Sequence, residues 1–193
     1  LPANCTYTGD TYIFSLQSIG SSTLPSGSRT GNVHVYGILS FGTMTINGLY
    51  GTGAITKGSG SGTLTLGDND ANGDFTGTIT QSGTLSLTKI GSGTQRLGGV
   101  CSYTGATTVN GGTLVVDCTI LSDTQIESNA TLRGTGTIDK SGTALTVKNG
   151  GKLAPGDTNG LGTMTILQGG VAFEDGAALE VTAGKAGQGE ISV

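Results

Sequence analysis

A five-residue phrase, glycine-threonine-apolar-polar-apolar, returns along this chain about every twenty residues and leaves it very few architectures. It reads Gly42-Thr-Met-Thr-Ile46, Gly62-Thr-Leu-Thr-Leu66, Gly83-Thr-Leu-Ser-Leu87, Gly112-Thr-Leu-Val-Val116 and Gly162-Thr-Met-Thr-Ile166, with looser copies at Gly93-Thr-Gln-Arg-Leu97 and Ala177-Ala-Leu-Glu-Val181. Successive starts of the five close copies lie 20, 21, 29 and 50 residues apart. Short alternating strands punctuated by glycine at such a period cannot bury an apolar face singly, so they stack as a solenoid.

Longer echoes strengthen the reading. Leu49-Tyr-Gly-Thr-Gly-Ala-Ile-Thr-Lys57 matches Leu132-Arg-Gly-Thr-Gly-Thr-Ile-Asp-Lys140, and Cys5-Thr-Tyr-Thr-Gly9 recurs as Cys101-Ser-Tyr-Thr-Gly105. A bias toward glycine and threonine does not by itself hold leucine and isoleucine in phase. Charged residues make up only 11% against about 25% in an ordinary soluble domain. The alternating Thr, Val and Ile nevertheless argue for a folded β chain and against disorder. No helical stripe is present, and 37 glycines would each cost about 1 kcal/mol inside a helix.

Composition also bounds partners and compartment. A net charge of −4 with scattered Lys and Arg excludes nucleic acid as a partner, because phosphates demand a basic patch. No apolar run reaches the length of a transmembrane helix, and the amino terminus lacks the basic start and apolar core of a signal peptide. Opening on Leu1 and stopping on Val193, the chain reads as a fragment of a longer protein. The expected organisation is an irregular amino-terminal coil or cap over 1–32 and a repeat-built β-helix over 33–193. Within the first part, Thr11 to Thr30 is the least regular stretch, either an atypical first coil or a cover. The open ends of such a rod expose unpaired strand edges, which join further coils or another molecule.

Hydrogen-bonded rungs lie about 4.8 Å apart, so 193 residues at about twenty per coil predict an all-β parallel β-helix of roughly nine to ten coils, about 45 Å long. Strand alternation sends Leu64, Leu85 and Leu114 inward and Thr63, Thr65, Thr84 and Thr113 outward. Glycines such as Gly91 and Gly112 suit the corners between faces, where a positive φ is cheap only without a Cβ.

The run Lys89-Ile-Gly-Ser-Gly-Thr-Gln-Arg-Leu-Gly-Gly-Val-Cys-Ser-Tyr-Thr-Gly-Ala-Thr-Thr-Val-Asn-Gly-Gly-Thr-Leu-Val-Val116 resembles the autotransporter-associated β-strand repeat of bacterial passenger domains. The similarity extends over Gly51 to Leu87 and through Gly150-Gly-Lys-Leu-Ala-Pro-Gly156, about three-quarters of the chain from Gly51 onward. The resemblance implies a right-handed β-helix exposed at the surface of a Gram-negative-type bacterium, and it implies no catalytic residues. The outer-membrane barrel that anchors many such proteins is missing from this sequence.

The strongest candidate ligand site is Asp68-Asn-Asp-Ala-Asn-Gly-Asp74. Oxygens on Asp68, Asp70, Asn72 and Asp74, with glycine at the sixth position, resemble an EF-hand-type calcium loop. The twelfth position is Ile79 where a bidentate Glu is needed, so a polar turn between strands remains the alternative. No other cofactor is expected. Three cysteines allow one intramolecular disulfide. Cys101 and Cys118, 17 residues apart and so about one coil, are the favoured pair over a reading as small apolar filler. Cys5 lies 96 residues from Cys101, about five rungs away, which leaves it a free or intermolecular thiol.

The single histidine, His34, falls opposite Val33 and Val35 in alternation and is expected to face solvent. Carboxylates outside the acidic loop are scattered, which gives no paired-carboxylate pattern for glycan cleavage and supports a non-enzymatic chain. The threonine pairs Thr43/Thr45, Thr63/Thr65 and Thr163/Thr165 suggest a hydroxyl array for ice or glycan, against the plainer reading that threonine suits exposed strand positions. The function read from the sequence is a structural or adhesive module of an exported surface protein. Its partners would be neighbouring coils, copies of itself, or a surface glycan or protein receptor. The alternatives are a subunit of an extracellular filament or sheath joined through open coil ends, and a glycan-binding or glycan-cleaving β-helix.

Overall fold

A computed structural model describes residues 7–19, 24–139 and 143–181 of the protein. Each coil runs over three faces, and every strand pairs in parallel with its counterpart one coil away. The first face is one sheet of nine strands. They are Thr11–Ile13, Val33–Val35, Leu49–Gly51, Gly73–Phe75, Thr94–Leu97, Gly112–Val116, Ala130–Gly134, Lys152–Pro155 and Ala178–Leu179. The third face carries seven, namely Met44–Ile46, Ser61–Leu66, Thr84–Lys89, Thr107–Val109, Thr124–Ile126, Leu145–Val147 and Val171–Phe173. The second face is split between two sheets. One holds Leu16–Ile19, Ile38–Phe41, Ala54–Lys57, Thr78–Gln81 and Val100–Cys101, and the other Thr119–Ile120, Thr137–Asp139 and Thr165–Leu167.

The all-β parallel solenoid is as expected, but the coil count is not. The seven third-face strands span about six turns and the nine first-face strands span eight, against the nine to ten predicted. The coil length is uneven: register partners on the first face lie 16 residues apart from His34 to Tyr50 and 26 apart from Lys152 to Ala178. Extra residues go into corners such as the short 3-10 turn Asp68–Asp70, which loops outward without adding a rung. Nine strands on the first face at about 4.8 Å spacing give a described rod about 38 Å long.

Alternation builds the core. On the third face Ile46, Leu66, Lys89, Val109, Ile126 and Val147 form one inward column, and Leu39, Ile55, Ile79 and Cys101 form another on the second. Leu64, Leu85 and Leu114 are fully buried. Each such aliphatic side chain contributes about 1.5–3 kcal/mol by leaving water, and the columns merge into one cluster along the rod. Gly91 and Gly112 sit at corners with φ of 68° and 58°. A Cβ on Gly112 would fall 2.3 Å from the Gly93 carbonyl oxygen, so only glycine fits.

The recurring phrase does not mark one face. Its copies at Met44, Leu64 and Leu85 lie on the third face, those at Leu114 and Gln95 on the first, and that at Met164 leads into the second. It marks a glycine corner entering a strand, whichever face follows.

Candidate functional site

The acidic corner is a set of inter-coil ties. Asp68 Oδ1 accepts from the adjacent Asn69 amide at 3.0 Å. Asp70 Oδ1 accepts the Ser92 amide at 2.7 Å, Asn72 Oδ1 the Thr94 amide at 2.7 Å, and Asp74 Oδ1 the Arg96 guanidinium at 3.1 Å. The Ser92 hydrogen bonds hold the Asp70 carboxyl below its usual pKa. The four oxygens thus point at four different partners, and among the described residues no group of three or more His, Cys, Asp or Glu gathers as metal ligands. The turn geometry includes left-handed Asn69 and Asp70, with φ of 55° and 54°, a conformation these side chains tolerate.

The same device recurs at other corners. Asp10 Oδ1 accepts the Asn32 amide at 2.8 Å, Asn32 Oδ1 the Gly48 amide at 2.9 Å, and Asp117 Oδ1 the Thr135 amide at 2.8 Å. The amide bond from Asn32 lowers the Asp10 pKa, while for Asp117 a rise from burial is outweighed by the Thr135 and Arg96 hydrogen bonds, leaving it lowered. Arg96 spans three coils on the outer face, reaching Asp74 at 3.1 Å and Asp117 at 2.8 Å.

The structure joins Cys101 and Cys118 as a disulfide with a Cα–Cα distance of 5.9 Å. Cys5 lies outside the described residues. His34 does face outward from its strand, but solvent does not surround it. Its ring is stacked between Tyr12 at 4.5 Å and Tyr50 at 5.0 Å, and Nε2 lies 2.9 Å from Asp10 Oδ2. Phe14 stacks on Tyr36 at 5.4 Å beside this column. Sequence reasoning missed the stack because coils of 22 and then 16 residues bring Tyr12, His34 and Tyr50 into line, and no fixed period predicts those steps.

Outward hydroxyls form columns on every face. Thr45, Thr65, Thr88 and Thr108 align on the third, Ser40, Thr56 and Thr80 on the second, and Thr94, Thr113 and Thr131 on the first. Thr165 belongs to the second face, so its pair does not extend the array begun by Thr43/Thr45 and Thr63/Thr65. Hydroxyls in parallel rungs therefore reflect the strand preference for threonine and single out no face.

Several polar groups stand in the core, and no spacing in the sequence marks them, because their partners lie on other coils or in the connections between strands. Lys89 is fully buried in its column, and Nζ donates to the carbonyls of Ile90 at 2.6 Å, Gly91 at 3.1 Å and Gly111 at 3.3 Å. Burial lowers its pKa to about 8. Gln95, also fully buried, accepts the Leu49 amide at 3.0 Å and donates back to the Leu49 carbonyl at 3.0 Å. Tyr103 Oη, Thr107 Oγ1 and Ser122 Oγ form a buried chain with steps of 2.9 and 2.7 Å. Burial pushes the Tyr103 phenol well above its ordinary pKa. Among these bonds, Lys89 to Gly111, Gln95 to Leu49 and Thr107 to Ser122 tie separate coils together.

Lys89, Gln95, Cys101 and Tyr103 fall within one turn that runs from the third face through the first and second to Gly112–Val116. Residues 87–116, which span that turn, match the passenger-associated-transport-repeat. That stretch is thus similar to a passenger repeat, the kind its sequence resembles. No curated protein and no solved structure matches the chain. The passenger repeat and the solenoid together fit a passenger-like β-helix module, and the repeat family suggests an exported surface protein. No helix among the described residues is long and apolar enough to cross a membrane.

Proposed function

We propose that this chain is a non-enzymatic structural rod within an exported surface protein of a Gram-negative-type bacterium, extending outward to present an adhesive or spacer surface. The observation that carries this reading is the nine-stranded parallel first face running through the passenger repeat, since such a stack supplies length and stiffness at low sequence cost. The polar groups best placed for chemistry serve as inter-coil ties, which favours a mechanical role. In this reading residues 33–193 are repeat-built body and 1–32 an atypical first coil or cap, within a longer protein. Electron microscopy of natively isolated material, with non-reducing electrophoresis of the same sample, tests it. Monomeric short rods support the surface stalk. Ordered fibres with disulfide-linked species would replace it with a filament subunit cross-linked through Cys5, and turnover of a glycan by the purified chain would refute the non-enzymatic assignment.

A further inference from the structure

Among the described residues, the second face is the one wall of the rod that is not a continuous sheet. Its first sheet ends at Val100–Cys101, its second begins at Thr119–Ile120, and no strand pairing joins these two edges. At the same level the other faces run through unbroken: Thr94–Leu97 pairs with Gly112–Val116, and Thr107–Val109 pairs with Thr124–Ile126. The disulfide bridges this gap, because Cys101 is on the last strand above it and Cys118 immediately precedes the first strand below it.

We propose that the Cys101–Cys118 disulfide is a clasp closing an unladdered seam in the solenoid wall, so that its redox state decides whether the wall opens there while the rest of the rod holds. The inner polar chain supplies the hinge. Thr107 Oγ1 bonds Ser122 Oγ at 2.7 Å and the Thr107 amide donates to the Asp123 carbonyl at 2.8 Å, tying the two coils at the third-face corner next to the seam. The seam edges have no such ladder, and unpaired backbone groups at a sheet edge gain water when the edge parts. Directly behind lie Tyr103 and Ile120, both fully buried, and an open seam wets them.

Opening the clasp takes a dithiol. One thiolate of the reagent attacks a cysteine sulfur, forming a mixed disulfide and releasing the other cysteine as a thiolate, and the reagent's second thiolate then attacks the reagent's own sulfur in that mixed disulfide and releases the remaining cysteine thiolate. Two electrons and two protons pass to the cysteines, and the reagent leaves as a cyclic disulfide. Cys101 and Cys118 are each 5% exposed, so the reagent attacks at the small part of the bridge that solvent reaches.

Hydrogen exchange read by mass spectrometry on the full chain tests the clasp, comparing the oxidised protein, the protein reduced by dithiothreitol under native conditions, and the double variant C101S/C118S. The expected result is exchange at least about tenfold faster in peptides covering 98–104 and 117–121, with Ser61–Leu66 and Thr84–Lys89 unchanged. Protection lost equally on all three faces would make the disulfide a global stabiliser and overturn the proposal, as would an unchanged seam. A folded protein whose disulfide resists dithiothreitol entirely also overturns it, because the redox state then cannot change in the folded rod. Should the double variant fail to fold, the native reduction carries the same comparison.

Discussion

Gln95 offers the sharpest quantitative test of how the coils are held. It occupies the inward column that reads Val33, Leu49, Gly73, Gln95, Leu114 and Leu132, and its carboxamide passes the side-chain-free Gly73 to pair with the peptide of Leu49 two coils away. The ladder between the strands Leu49–Gly51 and Gly73–Phe75 begins only at Tyr50 and Asp74, so the carboxamide stands in for the missing strand pairing at Leu49. Gln95→Leu leaves the buried N–H and C=O of Leu49 unpaired, at about 1–3 kcal/mol each, and regains about 1–2 kcal/mol from apolar burial. The net expected loss is about 2–3 kcal/mol. Gly73→Ala attacks the same pair from the other side, since its Cβ would lie 2.0 Å from Gln95 Oε1 and 2.6 Å from the Leu49 oxygen. Urea denaturation of wild type, both single variants and the double variant gives the cycle. The double should cost at least about 1 kcal/mol less than the sum, because the second change removes an interaction already lost. A Gln95→Leu cost below about 0.5 kcal/mol, or strict additivity with Gly73→Ala, would refute the carboxamide's role as a substitute rung.

Other expectations follow from the same geometry. The folded pKa of Lys89, about 8, lies below the ordinary 10.5, so the unfolded chain binds the extra proton between these values and stability should rise as pH increases from about 8 to 10.5. The gain is at most about 3 kcal/mol, and a stability-versus-pH curve for Lys89→Met should lack it. Gly112→Val should abolish the soluble folded protein because of its φ of 58° and the Gly93 oxygen beside it, whereas Thr113→Ala on the outer face should move the midpoint by less than about 0.5 kcal/mol. Calcium titration calorimetry should show no binding heat at Asp68, Asp70, Asn72 and Asp74, since Asp70 and Asn72 would first have to release the Ser92 and Thr94 amides. Saturable heat lost in Asp70→Asn would contradict that account.

What the sequence made legible follows from what alternation controls. Leu64, Leu85 and Leu114 face inward because a period of two leaves them no choice, and a glycine corner announces each strand. Spacing between copies was legible only where the coils keep their length, as in the three copies 20 and 21 residues apart that share the third face. The gaps of 29 and 50 cross to other faces, which is why Thr163/Thr165 did not join the earlier threonine pairs. The inward positions of Lys89 and Gln95 were hidden for a different reason. A polar residue at an apolar position is informative only once the carbonyls and amides around it are known, and those come from coils 22 and 46 residues away. For the cysteines, a separation of 17 matched one short coil, and the break in the second face behind them left no trace in the sequence.

The corner acceptors give the rod a direction of growth. Asp10, Asn32, Asp70, Asn72 and Asp117 each hold an amide that comes later in the chain, that of Asn32, Gly48, Ser92, Thr94 and Thr135 respectively. A coil already formed therefore presents a fixed oxygen to the coil that follows, and the newcomer is caught at its corner before its strands have zipped. Laid down from the amino end, the courses that follow these five acceptors arrive against a prepared edge, whereas Asn47 and Glu174 reach back to the earlier amides of Gly27 and Asn149. Laid down from the carboxyl end, each newcomer would bring its acceptor on its own still-mobile corner, and the entropy of ordering that corner would fall on the same step as the pairing.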